Sequence, residues 1–313
     1  MSGRSLAALL VCGVLLAPAG AQERPRAEPK RYDLRARYLP RVGDEVVVHE
    51  VQRQRRRFRI EREGEVLENH KGSMTLETRY EQRVEKVEQG VVTGELRRYR
   101  LVKQVQAEEP REERFAEPVE VRLVLRERRW AYARVGAADE VLPPLLKAKL
   151  ADECAGEVEP GGAEAKLQGL FPKQPQALGQ RWKVAPATLA EVLGFEHVDP
   201  KTSTAGGELR AVAGEGDALS FTVQLRFNLE LRRVLGERVE TPARLAGEAT
   251  LQFFPRAPSR SMKVQAALSY AGAMPGRSAP PGTRLRLRLD VESSEERRPV
   301  EGRSAGPRAP KSE

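Results

Sequence analysis

Side chains able to act as nucleophiles or metal ligands are scarce in this chain. Its histidines, His49, His70 and His197, are scattered singly, which leaves little for a histidine-built metal site. His49 and His70 fall on opposite arms of the first expected hairpin, where they could face each other. The default for each is a hydrogen-bonded strand histidine. Cys154 lies in Asp152-Glu153-Cys154-Ala155, where neighbouring acids disfavour a thiolate. No Gly-x-Ser-x-Gly elbow, His-Glu-x-x-His pair, phosphate loop or dinucleotide fingerprint is present. The many carboxylates alternate with arginines on expected solvent faces, where raised carboxyl pKa values of the glycosidase kind do not arise. These residues predict no catalytic site, no cofactor and no metal. Trp130 and Trp182 suit core or pocket walls. Aromatic residues make up only 5% of the chain, which argues against a carbohydrate platform of stacked rings.

The elements that would position any site come after a leader. Arg4, an apolar stretch from Leu6 to Leu16 and the small-residue pattern Ala19-Gly20-Ala21 predict a signal peptide over residues 1–21, cleaved before Gln22. Cys12 lies inside the apolar stretch after Val11, where a lipid-attachment site would want a small residue. The expected location is therefore periplasmic or extracellular, and cleavage leaves Cys154 as the one thiol of the mature chain. No second apolar segment is long enough to span a bilayer as a helix.

The formal charge is +9 over 313 residues, and residues 22–60 carry most of it, with twelve Lys or Arg against six Asp or Glu. The densest run is Arg53, Arg55, Arg56, Arg57 and Arg59. Such a run could track phosphates or an anionic membrane. Phe58 and Ile60 at alternate positions favour a strand whose arginines line a solvent face, and export removes nucleic acid from the expected partners.

Hydrophobic alternation is the strongest signal. Leu219, Phe221, Val223, Leu225, Phe227, Leu229 and Leu231 occupy successive odd positions with polar residues between them, the pattern of a long half-buried strand. Similar runs cover Val119–Leu125, Met262–Tyr270 and Leu285–Val291. Weaker strands are expected at Val46–Ile60, Ser73–Val87, Val91–Val105, Arg128–Val135, Glu208–Val212 and Leu245–Phe254, with turn signals at Glu63-Gly64-Glu65 and Glu88-Gln89-Gly90. Ala138–Glu153 and Pro186–Leu193 read as short helices. The fold class is mainly β: long curved antiparallel strands in two packed sheets or an open or half barrel, with one or two short helices in the middle. The expected organisation is a disordered basic segment at 22–39, an N-terminal β module at 40–155, a C-terminal β module at 156–292 and a disordered tail at 293–313.

Val42-Gly43-Asp44-Glu45-Val46 opens the first strand group, and Leu170-Phe171-Pro172-Lys173-Gln174-Pro175 leads to Gly179 and Trp182. This order resembles a family of secreted bacterial β-rich proteins known only as a domain of unknown function. That family combines a signal peptide, a Gly-Asp entry to long strands and a central Phe-Pro-x-x-Pro segment followed by Gly-x-x-Trp. Gln180 stands where the family more often has an acid. The resemblance implies an exported, noncatalytic β protein and brings no activity with it.

Three functions fit these features: a binding or scaffold module for a lipid-like ligand or a cell-envelope partner, an outer-membrane β-barrel, or a secreted enzyme with an unrecognised carboxylate site. For the first, Trp130, Trp182, Phe221, Phe227, Phe253 and Tyr270 are the candidate apolar pocket residues. Small residues at Gly247, Ala249 and Ala266 among bulky ones predict that the apolar face need not be uniformly filled.

Overall fold

The computed structural model describes residues 29–300 apart from 107–108, 137–140, 158–165, 196, 235–236 and 277–278. The predicted signal peptide lies outside the described residues. From Arg31 onward the chain forms β1 (Arg31–Tyr32), β2 (Glu45–Arg62), β3 (Glu65–Glu88), β4 (Val91–Gln106), β5 (Glu109–Arg126), β6 (Arg129–Arg134) and α1 (Pro144–Glu153). Then follow β7 (Gln176–Ala177), β8 (Arg181–Lys183), α2 (Pro186–Val192), β9 (Thr204–Ala213), β10 (Ser220–Val234), β11 (Glu237–Phe253), β12 (Arg260–Ala273) and β13 (Thr283–Pro299).

Eleven of the strands form one antiparallel sheet in the order β6-β5-β4-β3-β2-β13-β12-β11-β10-β9-β8, and β1 pairs with β7. The order follows the chain except at its centre, where β13 pairs with β2 from Thr283↔Arg62 to Pro299↔Val46. Both predicted strand groups therefore share one sheet. That sheet is not closed into a barrel, since β6 and β8 end it as separate edges. The outer-membrane barrel reading fails on this open edge and also on polarity, because a membrane barrel turns its apolar band outward, whereas here the apolar rows lie under the helices.

Hairpin geometry follows the turn chemistry. Glu63-Gly64 and Gln89-Gly90 both have positive φ at each central residue, the two-residue turn that matches strand twist. Glu127-Arg128 makes the same kind of turn without glycine, at φ 47° and 65°, and so carried no sequence signal. At the β4–β5 pairing, Tyr99 faces Val119 and Leu101 faces Arg114, so residues 115–118 bulge out opposite Arg100. Pro118 sits in that bulge, where its missing N–H costs no ladder bond.

Parts of both segments expected to be disordered are paired into the fold. Ser293–Pro299 belong to β13, where they gain cross-strand partners on β2 and, as far as Arg297, on β12. At the other end Arg31 and Tyr32 pair with β7, and Leu34 is buried at 1% exposure.

One face of the sheet is the core face. On β10 and β11, Val223, Leu225, Leu229, Leu245 and Ala243 are fully buried, while Arg226, Asn228 and Glu248 between them face out. Two separate covers lie on it. Leu146 and Leu150 of α1 pack on Val48, Tyr80, Tyr99 and Val121 of the N-terminal strands. Glu113 of β5 fixes the start of α1, its carboxylate accepting from Leu145 N (2.9 Å) and Leu146 N (3.1 Å). Over the C-terminal strands the cover is Leu34, Leu170, Phe171, Val184, Leu189 and Ala190. The outer face is laced with cross-strand pairs such as Arg98–Glu120 (2.7 Å) and Arg122–Glu85 (2.8 Å).

Candidate ligand cavity

Between the two covers the core face is left partly open. A cavity of about 390 Å³ lies there, walled by Val46, Val84, Leu167, Phe171, Phe253 and Met262, with Tyr38, Gln82, Arg260, Glu295 and Arg297 supplying its polar groups. Its size and mostly apolar lining are those of a small-molecule site. The register explains the convergence. Phe253 on β11 faces Arg260 on β12, Arg260 faces Arg297 on β13, Arg297 faces Val48 on β2, and Val46 faces Gln82 on β3. Residues directly opposite share a face, so five strands contribute to one patch.

Three of its charged groups are paired with one another. Arg260 Nε and Arg297 Nε both donate to Glu295 Oε1 at 2.7 Å. Burial alone would raise the Glu295 pKa, but the Arg297 and Arg260 guanidiniums outweigh it and bring the carboxyl down to about 2. A second buried cluster adjoins it. Arg97 Nε and Nη1 reach Glu95 Oε1 and Glu153 Oε1 at 2.6 Å, and Lys149 Nζ bridges Glu50 and Glu153 at 3.1 Å. The Gln82 amide donates through Nε2 to Glu95 Oε2, which fixes its Oε1 as an acceptor, buried and without a hydrogen-bond partner among the described residues. Tyr80 OH donates to Glu50 Oε1 (2.9 Å), and burial pushes the Tyr99 hydroxyl up to about 12. The Glu153 carboxyl would rise on burial but is held below the usual range by Arg97 and Lys149. Each of these acids sits within salt-bridge distance of a cation, which suits a structural floor better than a proton donor.

Because Glu295 titrates near 2 in the fold and near 4.5 when unfolded, its pairing contributes stability above pH 4.5 that is lost as pH falls towards 2. Urea denaturation at pH 5 and pH 2.5 should show Glu295→Gln losing less stability over that interval than the parent, by roughly 2 kcal/mol. Equal losses would remove Glu295 from the acid response.

The six candidate aromatic positions divide. Phe253 lines the cavity, 5.2 Å from the Phe171 ring and 5.5 Å from Phe221. Phe221 is packed edge-on against Tyr32. Trp182 donates through Nε1 to Leu170 O (2.9 Å), and its ring covers Gly207, where a Cβ would come within 2.4 Å of it. Trp182 and Phe227 both line a more open hollow of about 640 Å³, at strand positions where Gly206, Gly207 and Gly247 carry no side chain. Tyr270 OH donates to Ala273 O (2.6 Å) and fills the core beside Gly272. Trp130 packs on the N-terminal core with Tyr132.

His49 and His70 do not face each other. His49 lies opposite Arg79 and meets Glu77 Oε1 at 3.0 Å, whereas His70 lies opposite Phe58 with ring centroids 5.2 Å apart. Burial and the Glu153 charge raise the Cys154 thiol, in keeping with the acids beside it in sequence. The polar cavity residues Gln82, Arg260, Glu295 and Arg297 carried no sequence signal, since isolated polar residues on or beside a strand read as solvated.

No family model matches the chain, and no curated protein matches it. Among solved structures, a lipovitellin studied for its lipid–protein interactions aligns over 86% of this chain at 8% sequence identity, with a TM-score of 0.36. This chain spans 27% of that lipovitellin chain, and the likeness assigns it to no family.

Proposed function

We propose that this is an exported, noncatalytic β module whose cavity takes an acyl or similarly apolar chain. Export rests on Arg4, the apolar stretch Leu6–Leu16 and Ala19-Gly20-Ala21. The observation that carries the binding reading is the apolar gap between the covers, walled by Phe171, Phe253, Met262 and Val84 over a polar floor in which Arg260 and Arg297 are paired with Glu295. An apolar chain placed there would bury hydrocarbon against hydrocarbon and leave the Glu295 pairs intact. The partner class is a lipid-like ligand or a lipid component of the cell envelope.

Native mass spectrometry of the mature chain, purified without detergent, should show a bound mass, and a fluorescent fatty acid should be displaced by unlabelled fatty acid. Met262→Trp fills part of the cavity at small packing cost, and should weaken that probe about tenfold while leaving the thermal midpoint nearly unchanged. A ligand-free spectrum with no probe binding would overturn the proposal, as would unchanged binding to the Trp variant.

A further inference from the structure

The arginine run of β2 is exposed, as its alternation with Phe58 and Ile60 suggests, but strand pairing adds what the sequence order hides. Arg57 lies directly opposite Arg288 on one side and Lys71 on the other. Arg59 faces Arg286 in the next row, where Glu61 pairs with both, and Arg55 adjoins the Arg57 row opposite Asp290, whose carboxylate is bound by Arg288 at 3.0 Å. Like charges opposed across strands are destabilising. Elsewhere on this outer face the register sets Arg98 against Glu120 and Arg226 against Glu248, whereas here Glu61, Asp290 and Glu292 are outnumbered by Arg53, Arg55, Arg57, Arg59, Lys71, Arg286 and Arg288. Arg55, Arg57 and Lys71 have no salt-bridge partner among the described residues, and all three are exposed. At the same end of the sheet Val66 and Leu67 are exposed at 42% and 50%, with Val66 opposite Glu61 on the arginine face.

We infer that this face docks on an anionic lipid bilayer. Guanidiniums held in rows by a rigid sheet present forked donors to lipid phosphates, and the negative surface relieves the repulsion among them. The exposed Val66 and Leu67 supply the apolar contact that an interfacial surface adds to charge and a soluble polyanion does not use. The surface is separate from the cavity, so the two readings can fail independently.

The test is co-sedimentation of the mature chain with phosphatidylcholine vesicles, with and without about a third phosphatidylglycerol. Binding is expected only with the anionic lipid and should fall as salt rises. Arg55→Gln with Arg57→Gln should weaken it about tenfold or more, since each basic residue near such a surface contributes on the order of one decade or less. The thermal midpoint and fatty-acid displacement should not fall. Arg210→Gln with Arg244→Gln, the same charge change beside Glu208 and Glu230, should do much less. Val66→Ser with Leu67→Ser should weaken vesicle binding but not binding of inorganic polyphosphate. Equal loss in both arginine pairs, equal binding to neutral vesicles, or unchanged vesicle binding by the Ser variant would each overturn the bilayer assignment.

Discussion

Arg97→Met should destabilise the fold by about 3–5 kcal/mol, the usual cost of removing one partner from a buried ion pair. The Arg97 guanidinium is 8% exposed, binds Glu95 and Glu153, donates to Tyr99 OH at 3.1 Å and stacks 5.0 Å from the Tyr80 ring centroid. Methionine fills comparable volume, so the loss comes mainly from two carboxylates left with only Lys149 beside Glu153 and Arg297 near Glu95, rather than from a void. Arg97→Lys should fall between the two, because an ammonium keeps the charge but cannot fork across both acids. Urea midpoints at unchanged slope measure the difference. A cost for Arg97→Met below about 1 kcal/mol would show that the cluster relaxes around the loss.

Phe227→Ala should cost about 3–5 kcal/mol, as large-to-small core changes do when the site cannot collapse. The ring is 6% exposed and stands over Gly247, where a Cβ would come within 2.9 Å of it and 2.3 Å of Gln265 O. The backbone at β11 and β12 is thus already as close as it can be, and it cannot move in to fill the gap. Phe227 also borders the hollow beside Trp182, so water can enter after truncation, which places the expected value near the lower end. Thermal and urea denaturation of the same variant check it. A loss under about 1 kcal/mol would mean that the β10 row is not a closed core.

Strands with one wet face were legible from sequence because their alternation is local. Val223, Leu225 and Leu229 announce β10 by themselves. What failed was every feature decided by a distant partner. Residues 293–299 read as a tail since Glu295 and Arg297 are polar, and only Arg260 and the β2 pairing make them core-facing. The N-terminal half of β3, with Glu65, Glu68 and Asn69, lacks an apolar row because it lies beyond the covers. The cavity belongs to the same class: Phe253 was legible as an aromatic on a strand, but Val84, Gln82 and Met262 become its neighbours only through the registers of five strands.

The pairing of β2 with β13 also sets the order in which the molecule can be built. β2 is among the first strands made and β13 the last, so the centre of the sheet closes only across a loop spanning residues 63–282. The entropy of closing so long a loop grows only logarithmically, but non-local pairing of this kind slows folding. Until β13 arrives, β2 presents an open edge of hydrogen-bonding groups to any other chain. The arginines at 53, 55, 57 and 59 repel a second copy of that edge, while Asp290 and Glu292 on β13 face Arg55 and Arg53. Charge thus favours the completing strand over a second copy only at the Arg53 and Arg55 end of the seam, since Arg57 and Arg59 meet Arg288 and Arg286.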